Sequence, residues 1–193
     1  MAISLTKGQK IDLTKTNPNL TKVIVGLGWD TNRYDGGKDF DLDASVFLLN
    51  GQGQCGADTD FIFYNNPKNG NGSVVHTGDN RTGAGDGDDE QVSVDLSAVP
   101  ANVERIAFAI TIHEARERNQ NFGQVANAFV RILDEQSGTE LIRYDLGEDF
   151  SIETVVVVGE LYRHSGEWKF NAIGSGYQED LAGLLGKYGL STS

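Results

Sequence analysis

The sequence contains few cysteines and few basic residues. Cys55 is the only cysteine among the 193 residues, so the chain cannot form an intrachain disulfide. A zinc site would have to combine carboxylates with the three histidines, His76, His113 and His164. Lysine and arginine together number 16 against 28 aspartates and glutamates, and the formal net charge is -12. Because this charge repels nucleic-acid backbones and anionic membrane surfaces, we expect no nucleic-acid partner.

The sequence also lacks long apolar segments. Residues 1–13 mix lysine, glutamine, threonine and aspartate with apolar residues, which is not the pattern of a signal peptide. The longest apolar runs, such as residues 155–158, are far shorter than the ~20 residues that a membrane-spanning helix needs. We therefore expect a cytoplasmic protein without direct membrane insertion. Its length of 193 residues suits a single domain over residues 1–193.

Short β-branched and aromatic runs alternate with glycine-rich turns along most of the chain. Many short strands separated in this way predict an all-β fold, and we expect a two-sheet antiparallel β-sandwich. Turns at residues 50–53, 137–138 and 165–166 offer the asparagine, serine and glycine residues that hairpins favour. The predicted strands are residues 23–27, 44–49, 61–64, 92–96, 106–112, 128–133, 141–146, 154–162 and 168–173.

Two segments depart from the strand pattern. Between residues 178 and 188, apolar side chains recur at helical spacing, and Gly189 is placed to end a helix. This pattern predicts a short C-terminal helix that packs on one face of the sandwich. Residues 113–124 are too polar for a core strand and are predicted to form a long connection with one helical turn.

The first acidic cluster places Asp39, Asp41 and Asp43 at alternate positions before an apolar run. On a strand, all three would point to one face, with neighbours ~7 Å apart. Each adjacent pair then repels by roughly 2 kcal/mol at an effective dielectric constant near 20, and by about 0.6 kcal/mol in water. Repulsion of this size fits a cation site, and it also fits a solvated strand face.

The second acidic cluster, residues 78–90, combines glycines with carboxylates, an asparagine and a threonine. Calcium takes six to eight oxygen ligands from a backbone that folds tightly around it, so this composition favours calcium over softer metals. The cluster is not an EF-hand, because Arg81 and Gly83 stand where that loop needs ligands and strands flank it. A solvated acidic turn is the alternative. Asp30, at the end of a predicted strand, adds another oxygen.

Seven short motifs occur in order along the chain, and together they resemble the TerD family associated with tellurium resistance and general stress. The resemblance covers nearly the whole sequence and includes both acidic clusters. The motifs are residues 26–30 (Gly-Leu-Gly-Trp-Asp), 39–45 (Asp-Phe-Asp-Leu-Asp-Ala-Ser), 63–66, 76–80, 85–90, 121–124 and 159–163.

The resemblance implies a two-sheet sandwich that binds two Ca²⁺ ions in loops at one end. It also implies a binding or scaffold module in the stress response, with protein partners at the inner face of the membrane, since no reaction is established for the family. The metal ligands that it implies are Asp30, Asp39, Asp41, Asp43, Asp79, Asn80, Asp86, Asp88, Asp89 and Glu90. A supporting or ligating role falls to Asn65, Asn66, Glu114, Asn119 and Asn121.

Two other functions compete with this one. Asp41 and Asp43 superficially match the Asp-x-Asp loop of magnesium-dependent phosphatases, in which one carboxylate attacks phosphorus and the other acts as an acid. Such enzymes place that loop after a buried parallel strand, whereas this sequence does not alternate strands with long helices. In the third hypothesis the protein is a metal-free scaffold whose acidic residues only confer solubility.

Overall fold

The computed structural model describes residues 2–31, 42–79, 88–146 and 150–191. The described chain forms two six-stranded β-sheets, a short α-helix and two 3₁₀ turns, at Asp58–Asp60 and Phe122–Gln124. The strands are β1 (Ile3–Ser4), β2 (Lys10–Asp12), β3 (Lys22–Thr31), β4 (Leu42–Leu49), β5 (Phe61–Ile62), β6 (Val74–Asp79), β7 (Glu90–Asp95), β8 (Arg105–Ile112), β9 (Val125–Asp134), β10 (Glu140–Asp145), β11 (Val155–His164) and β12 (Glu167–Tyr177), and the helix is α1 (Leu181–Lys187).

The first sheet has the strand order β1-β10-β9-β3-β7-β6, and the second has the order β2-β12-β11-β8-β4-β5. Every pairing is antiparallel except the short one between β1 and β10. In the first sheet, Val25 of β3 lies between Val92 of β7 and Ile132 of β9. The prediction of an all-β, two-sheet sandwich is confirmed.

The central strands of the second sheet are buried on both faces. On β8, the side chains of Ile106, Phe108 and Ile110 pack in the core between the sheets. Ala107 and Ala109 belong to a second apolar cluster on the outer face of the same sheet. Burial on both faces explains why most of β8 and the first part of β11, residues 155–158, are continuous apolar runs, whereas β7 alternates between buried and half-buried residues.

Helix α1 covers the outer face of the second sheet, as the sequence predicted. Leu184 is buried against Phe47 and Leu49 of β4. The Asp180 side chain caps the helix by accepting a hydrogen bond from the Gly183 N–H. Gly189 follows the helix with φ +80°, a left-handed conformation that favours glycine. Among the described residues, no helix is long and apolar enough to cross a membrane.

All nine predicted strands form, and most are extended by one or more residues, but the strand predicted at residues 61–64 covers only Phe61–Ile62. Strands β1, β2 and β6 were not predicted. Ser165 and Gly166 both have positive φ and join β11 to β12 in a two-residue hairpin turn. The connection at residues 113–124 is confirmed. It consists of turns and ends in the 3₁₀ turn Phe122–Gln124.

Arg163, near the end of β11, holds the loop between β7 and β8. Its guanidinium donates hydrogen bonds to the carbonyl oxygens of Val99, Pro100 and Val103 at 2.8–2.9 Å. The same group lies 4.6 Å from the ring centre of Trp168, which places it over the indole. One side chain therefore closes a loop whose carbonyl groups lack strand partners.

Candidate functional site

The strand ends that border the two acidic clusters meet at one end of the sandwich. Strand β3 ends at Thr31 and β4 begins at Leu42, while β6 ends at Asp79 and β7 begins at Glu90. Leu27 of β3 pairs with Glu90, and Asp79 pairs with Glu90 as well, which places three of these ends together in the first sheet. We call this the acidic end.

Asp88 is held on the outer face of the first sheet. Its Oδ1 accepts a hydrogen bond from Arg131 Nε at 2.7 Å, and its Oδ2 accepts one from Arg131 Nη2 at 3.1 Å. Gln91 donates to the same Oδ2 at 2.8 Å. The Asp88 side chain has 0% exposure. Its hydrogen bond raises the pKa of the Arg131 guanidinium above the usual value.

A glycine makes room for this ion pair. The Asp88 carboxylate occupies the space directly over Gly26 of β3, where a Cβ atom would collide with it. Two residues along the same strand, the Phe129 ring covers Gly28 in the same way. The guanidinium of Arg143 lies 4.0 Å from the centre of that ring. The alternating glycines of the motif at residues 26–30 therefore form a hollow on the sheet that these two side chains fill.

Asp89 and Glu90 accept hydrogen bonds from other strands. Asp89 Oδ2 accepts a hydrogen bond from the Trp29 backbone N–H of β3 at 2.8 Å. Glu90 points into the space between the sheets, where its Oε2 accepts from the Ala44 N–H of β4 at 2.6 Å. His76 Nε2 of β6 lies 3.1 Å from the same oxygen. Glu90 thus joins the two sheets beside both acidic clusters.

Asp88, Asp89 and Glu90 therefore contact three different strands. Their sequence pattern groups them as predicted metal ligands, and this anchoring role was not predicted. One signal was available, because glycines at alternate strand positions often mark the close approach of another group. The partners Arg131 and Ala44 carry no such signal, since they lie 43 and 46 residues from the acids that they contact.

Two further predicted ligands lie apart from this group. Asp30 accepts a hydrogen bond from Asn127 Nδ2 at 2.8 Å, and Asn127 has φ +53°. Asp43 lies on β4 opposite Thr111 of β8, on the outer face of the second sheet. Ala44, the next residue, faces the core. Asp43 and Asp88 thus lie on opposite outer faces of the sandwich.

The remaining predicted ligands fall outside the described residues. These are Asp39, Asp41, Asn80 and Asp86, together with the side chain of Asp79, whose backbone ends β6. Among the described residues alone, no three or more acidic, histidine or cysteine side chains are grouped as a metal site. Calcium binding thus stays a prediction.

The donor set suits calcium only in part. Asp30, Asp43, Asp89 and Glu90 supply hard oxygen atoms at the acidic end, which calcium prefers. Asp88 fits less well, because a cation bound to its carboxylate would have to displace both hydrogen bonds from Arg131. The described acids therefore provide the border of a calcium site, and the two undescribed segments would have to complete it.

The residues proposed to support the site act mainly within their own turns. Asn121 Oδ1 accepts from the Gly123 N–H at 2.9 Å and caps the 3₁₀ turn Phe122–Gln124. Asn66 Nδ2 donates to the Phe61 carbonyl oxygen at 2.7 Å. Glu114 and Asn119 both have positive φ, and Glu114 forms an ion pair with Arg118 at 3.1 Å.

A cleft of about 600 Å³ opens beside Asp43 on the outer face of the second sheet. Asp43, Thr111 and Val155 lie side by side on adjacent strands and form its floor together with Ser45. The walls are formed by residues 63–64, 112–117, 152, 154 and 178–182. The volume is in the range that binds small organic molecules.

Comparison with known proteins identifies the relatives of this chain. Residues 1–188 match the model of the TerD domain family. General stress protein 16U of Bacillus subtilis (strain 168) is 70% identical over 190 residues, which cover 98% of each chain. Tellurium resistance protein TerD of Serratia marcescens is 54% identical over 193 residues, which cover 100% of each chain.

The fold also occurs among solved structures. A crystal structure of a homologue of telluride resistance protein from Streptomyces coelicolor A3(2) superposes with a TM-score of 0.68 and 22% sequence identity. The match covers 86% of this chain and 96% of that one. At this identity the likeness supports the fold alone.

Proposed function

Because the chain belongs to the TerD family, we propose that it is a calcium-binding protein of the stress response, active in resistance to tellurite and other chemical stress. Its relatives include a general stress protein and a tellurium resistance protein, both matched over nearly their whole length. In this proposal the protein acts as a binding or scaffold module in the cytoplasm. Its partners are calcium and proteins at the inner face of the membrane.

The observation that carries the calcium proposal is the bond between Glu90 and the Ala44 N–H. This 2.6 Å contact fixes the start of β7 against the start of β4, which belongs to the other sheet. Residues 80–87 are separated from the first of these strands by Asp88 and Asp89 only, and residues 32–41 directly precede the second. The two acidic clusters, at residues 39–43 and 86–90, are therefore tethered to neighbouring points, and a divalent cation would offset the repulsion among their carboxylates.

We assign ligation to the acids that are not used as anchors. Asp39, Asp41, Asp79, Asn80 and Asp86 would supply most of the oxygens. Asp30, Asp43, Asp89 and Glu90 border the site, as described above. Bound calcium would neutralise these carboxylates and hold the two loops together. Asp88 keeps its bonds to Arg131 and positions the second loop.

Two observations favour a binding module over an enzyme. The phosphatase hypothesis needs Asp41 and Asp43 after a buried parallel strand, but Asp43 lies on β4, which pairs in antiparallel fashion with both neighbours. The only thiol is a poor nucleophile, because burial raises the pKa of Cys55 to about 12.

Isothermal titration of chelator-treated protein tests the proposal. We expect calcium to bind with micromolar or tighter affinity and magnesium to bind far more weakly, since loops rich in carboxylate and glycine suit the larger ion. The double variant D41N/D43N should lose affinity or stoichiometry. The matched control is D58N, which removes one exposed charge away from the acidic end.

Equal affinities for the two metals would contradict the proposal. An absence of calcium heat would favour the metal-free scaffold. Hydrolysis of a generic phosphate ester that depends on Asp41 would instead support the phosphatase hypothesis.

A further inference from the structure

Two hydroxyl groups, those of Ser45 and Thr111, lie in the cleft beside Asp43 and make little use of partners in the protein. Ser45 is 1% exposed and lies on the floor of the cleft, and its hydroxyl has no hydrogen bond among the described residues. Thr111 is 6% exposed, and its hydroxyl lies 3.5 Å from the Asp43 carbonyl oxygen, a long and weak contact. Buried polar groups normally have partners, so an unpaired serine facing a cleft indicates a ligand that supplies one.

Exposed apolar side chains border the same cleft. Within the described ranges only three large hydrophobic side chains are strongly exposed, and two of them, Tyr64 at 61% and Ile152 at 54%, line it. Phe63 lies beneath Tyr64, with the ring centres 5.3 Å apart and the rings edge to face. The cleft therefore offers an aliphatic and aromatic rim above a polar floor.

The charge of the lining is negative. Five carboxylates line the cleft, those of Asp43, Glu114, Glu117, Glu179 and Asp180. Glu114 is neutralised by Arg118, and Asp180 accepts the Gly183 N–H at the start of α1. Among the lining residues, Arg116 and His113 are the only basic groups. The excess of negative charge favours a cationic ligand.

We propose that this cleft binds an alkylammonium group, the chemistry shared by a lysine side chain and a free polyamine. The ammonium donates hydrogen bonds to the Ser45 and Thr111 hydroxyls on the floor of the cleft. The alkyl chain packs between Tyr64 and Ile152, and the aromatic rim adds a cation–π contribution. Glu117 and Glu179 attract the cation at the mouth. None of the groups that hold the amine is a proposed calcium ligand, although Asp43 borders both sites.

The test is a titration of 1,5-diaminopentane into the full chain in excess calcium, so that metal-binding carboxylates are not available to the amine. We expect saturable binding that weakens as salt is raised. Amide chemical shifts should change at residues 45, 64, 111 and 152. The uncharged analogue 1,5-pentanediol should not bind. A parallel titration with a blocked lysine tripeptide distinguishes a protein ligand from a free polyamine. Tighter binding of the peptide favours a lysine side chain, and tighter binding of the diamine favours a polyamine.

Variants separate the hydroxyls from the carboxylates. S45A/T111V removes both hydroxyls with little change of shape and should lower amine affinity by about three- to tenfold. Its melting temperature should stay close to that of the wild type, because the only described contact of these hydroxyls is the long one from Thr111 to the Asp43 carbonyl oxygen. E117Q/E179Q should lower the affinity by about tenfold and flatten its salt dependence. D58N, which removes an exposed charge outside the cleft, should change neither quantity.

Three results would overturn the proposal. They are the absence of saturable amine binding, equal binding of the diol, or full affinity in both cleft variants. A lower melting temperature of S45A/T111V with unchanged amine affinity would show that the hydroxyls are structural, which also overturns it.

Discussion

Arg131 and Asp88 form a two-pronged ion pair on the outer face of the first sheet, at 2.7 and 3.1 Å, directly over Gly26. The carboxylate has no exposed surface, whereas the guanidinium keeps 22%. Residues 80–87 of the second acidic cluster lie outside the described residues, and Asp88 is the first described residue after them. The pair therefore fixes the point at which that segment joins β7.

Replacing Arg131 tests this anchor. R131M leaves the Asp88 carboxylate buried without its main partner, and breaking a buried pair in this way costs about 3 kcal/mol or more of unfolding free energy. The double variant R131M/D88N should recover part of the loss, because the stranded charge is gone. Urea unfolding measures the unfolding free energy of both variants. A loss below about 1 kcal/mol in R131M would show that the pair behaves as a surface salt bridge.

Gly26 should tolerate no side chain. The added methyl group of G26A would collide with the Asp88 carboxyl group and push it away from Arg131, so we expect a loss of about 1–3 kcal/mol. The matched control is G51A, where the nearest atom to the new methyl group would be Glu104 Cγ at 3.9 Å. Chemical denaturation of the two variants compares them. Equal stability of G26A and G51A would contradict the close packing.

Glu90 connects the sheets through the Ala44 N–H. E90A leaves this buried donor unpaired and removes the neighbour of His76, so the unfolding free energy should fall by about 1–3 kcal/mol. E90Q keeps an oxygen acceptor and should lose less. D58A, at an exposed site, serves as the control. An E90Q variant as unstable as E90A would mean that the negative charge, and not the hydrogen bond, stabilises the junction.

Most of the fold could be predicted from the sequence, because local patterns determine it. Apolar runs in β8 and in the first part of β11 indicate the central strands, and α1 has apolar residues at helical spacing before Gly189. Strand β6 was missed because His76, Thr77 and Gly78 interrupt its apolar pattern. Strands β1 and β2 are edge pieces of two and three residues, too short for any periodicity.

The site was less predictable because a carboxylate looks the same in sequence whether it binds a metal or a guanidinium. Asp88 and Asp86 belong to one acidic run, yet only the fold brings Arg131 to Asp88. The cleft was not predicted either. In the sequence, Ser45 is only the last residue of the acidic motif. Its place in a cleft, without a described partner for its hydroxyl, follows from the packing of β4, β8 and helix α1.

Cys55 should report on unfolding. Burial raises its pKa from 9.0 to about 12, with a smaller contribution from Asp60, so the folded thiol stays protonated and unreactive at pH 8. A thiol reagent should label it only as fast as the protein opens, and rapid labelling without denaturant would contradict this.

The raised pKa of Cys55 also makes stability depend on pH. Because its pKa in the folded protein lies above the unfolded value, this group's contribution to stability is complete below about pH 9 and is lost as the pH rises toward 12. In a C55A variant that part of the alkaline loss should disappear.

The last prediction separates anchoring acids from metal-binding ones. If calcium binds only the folded protein, it adds about 2.7 kcal/mol at a free concentration one hundred times the dissociation constant. For a chain of this size, that is roughly 5 to 10 °C in melting temperature between excess EDTA and excess calcium. D86N should lose most of this shift without melting lower than the wild type in EDTA, since removing the charge also relieves repulsion. D88N should do the reverse, because it weakens the bonds to Arg131 and leaves the proposed ligands in place. It should melt lower in both buffers and keep the shift. Loss of the shift in D88N with an unchanged melting temperature in EDTA would make Asp88 a ligand, and an unchanged wild-type melting temperature on addition of calcium would remove calcium from the proposed function.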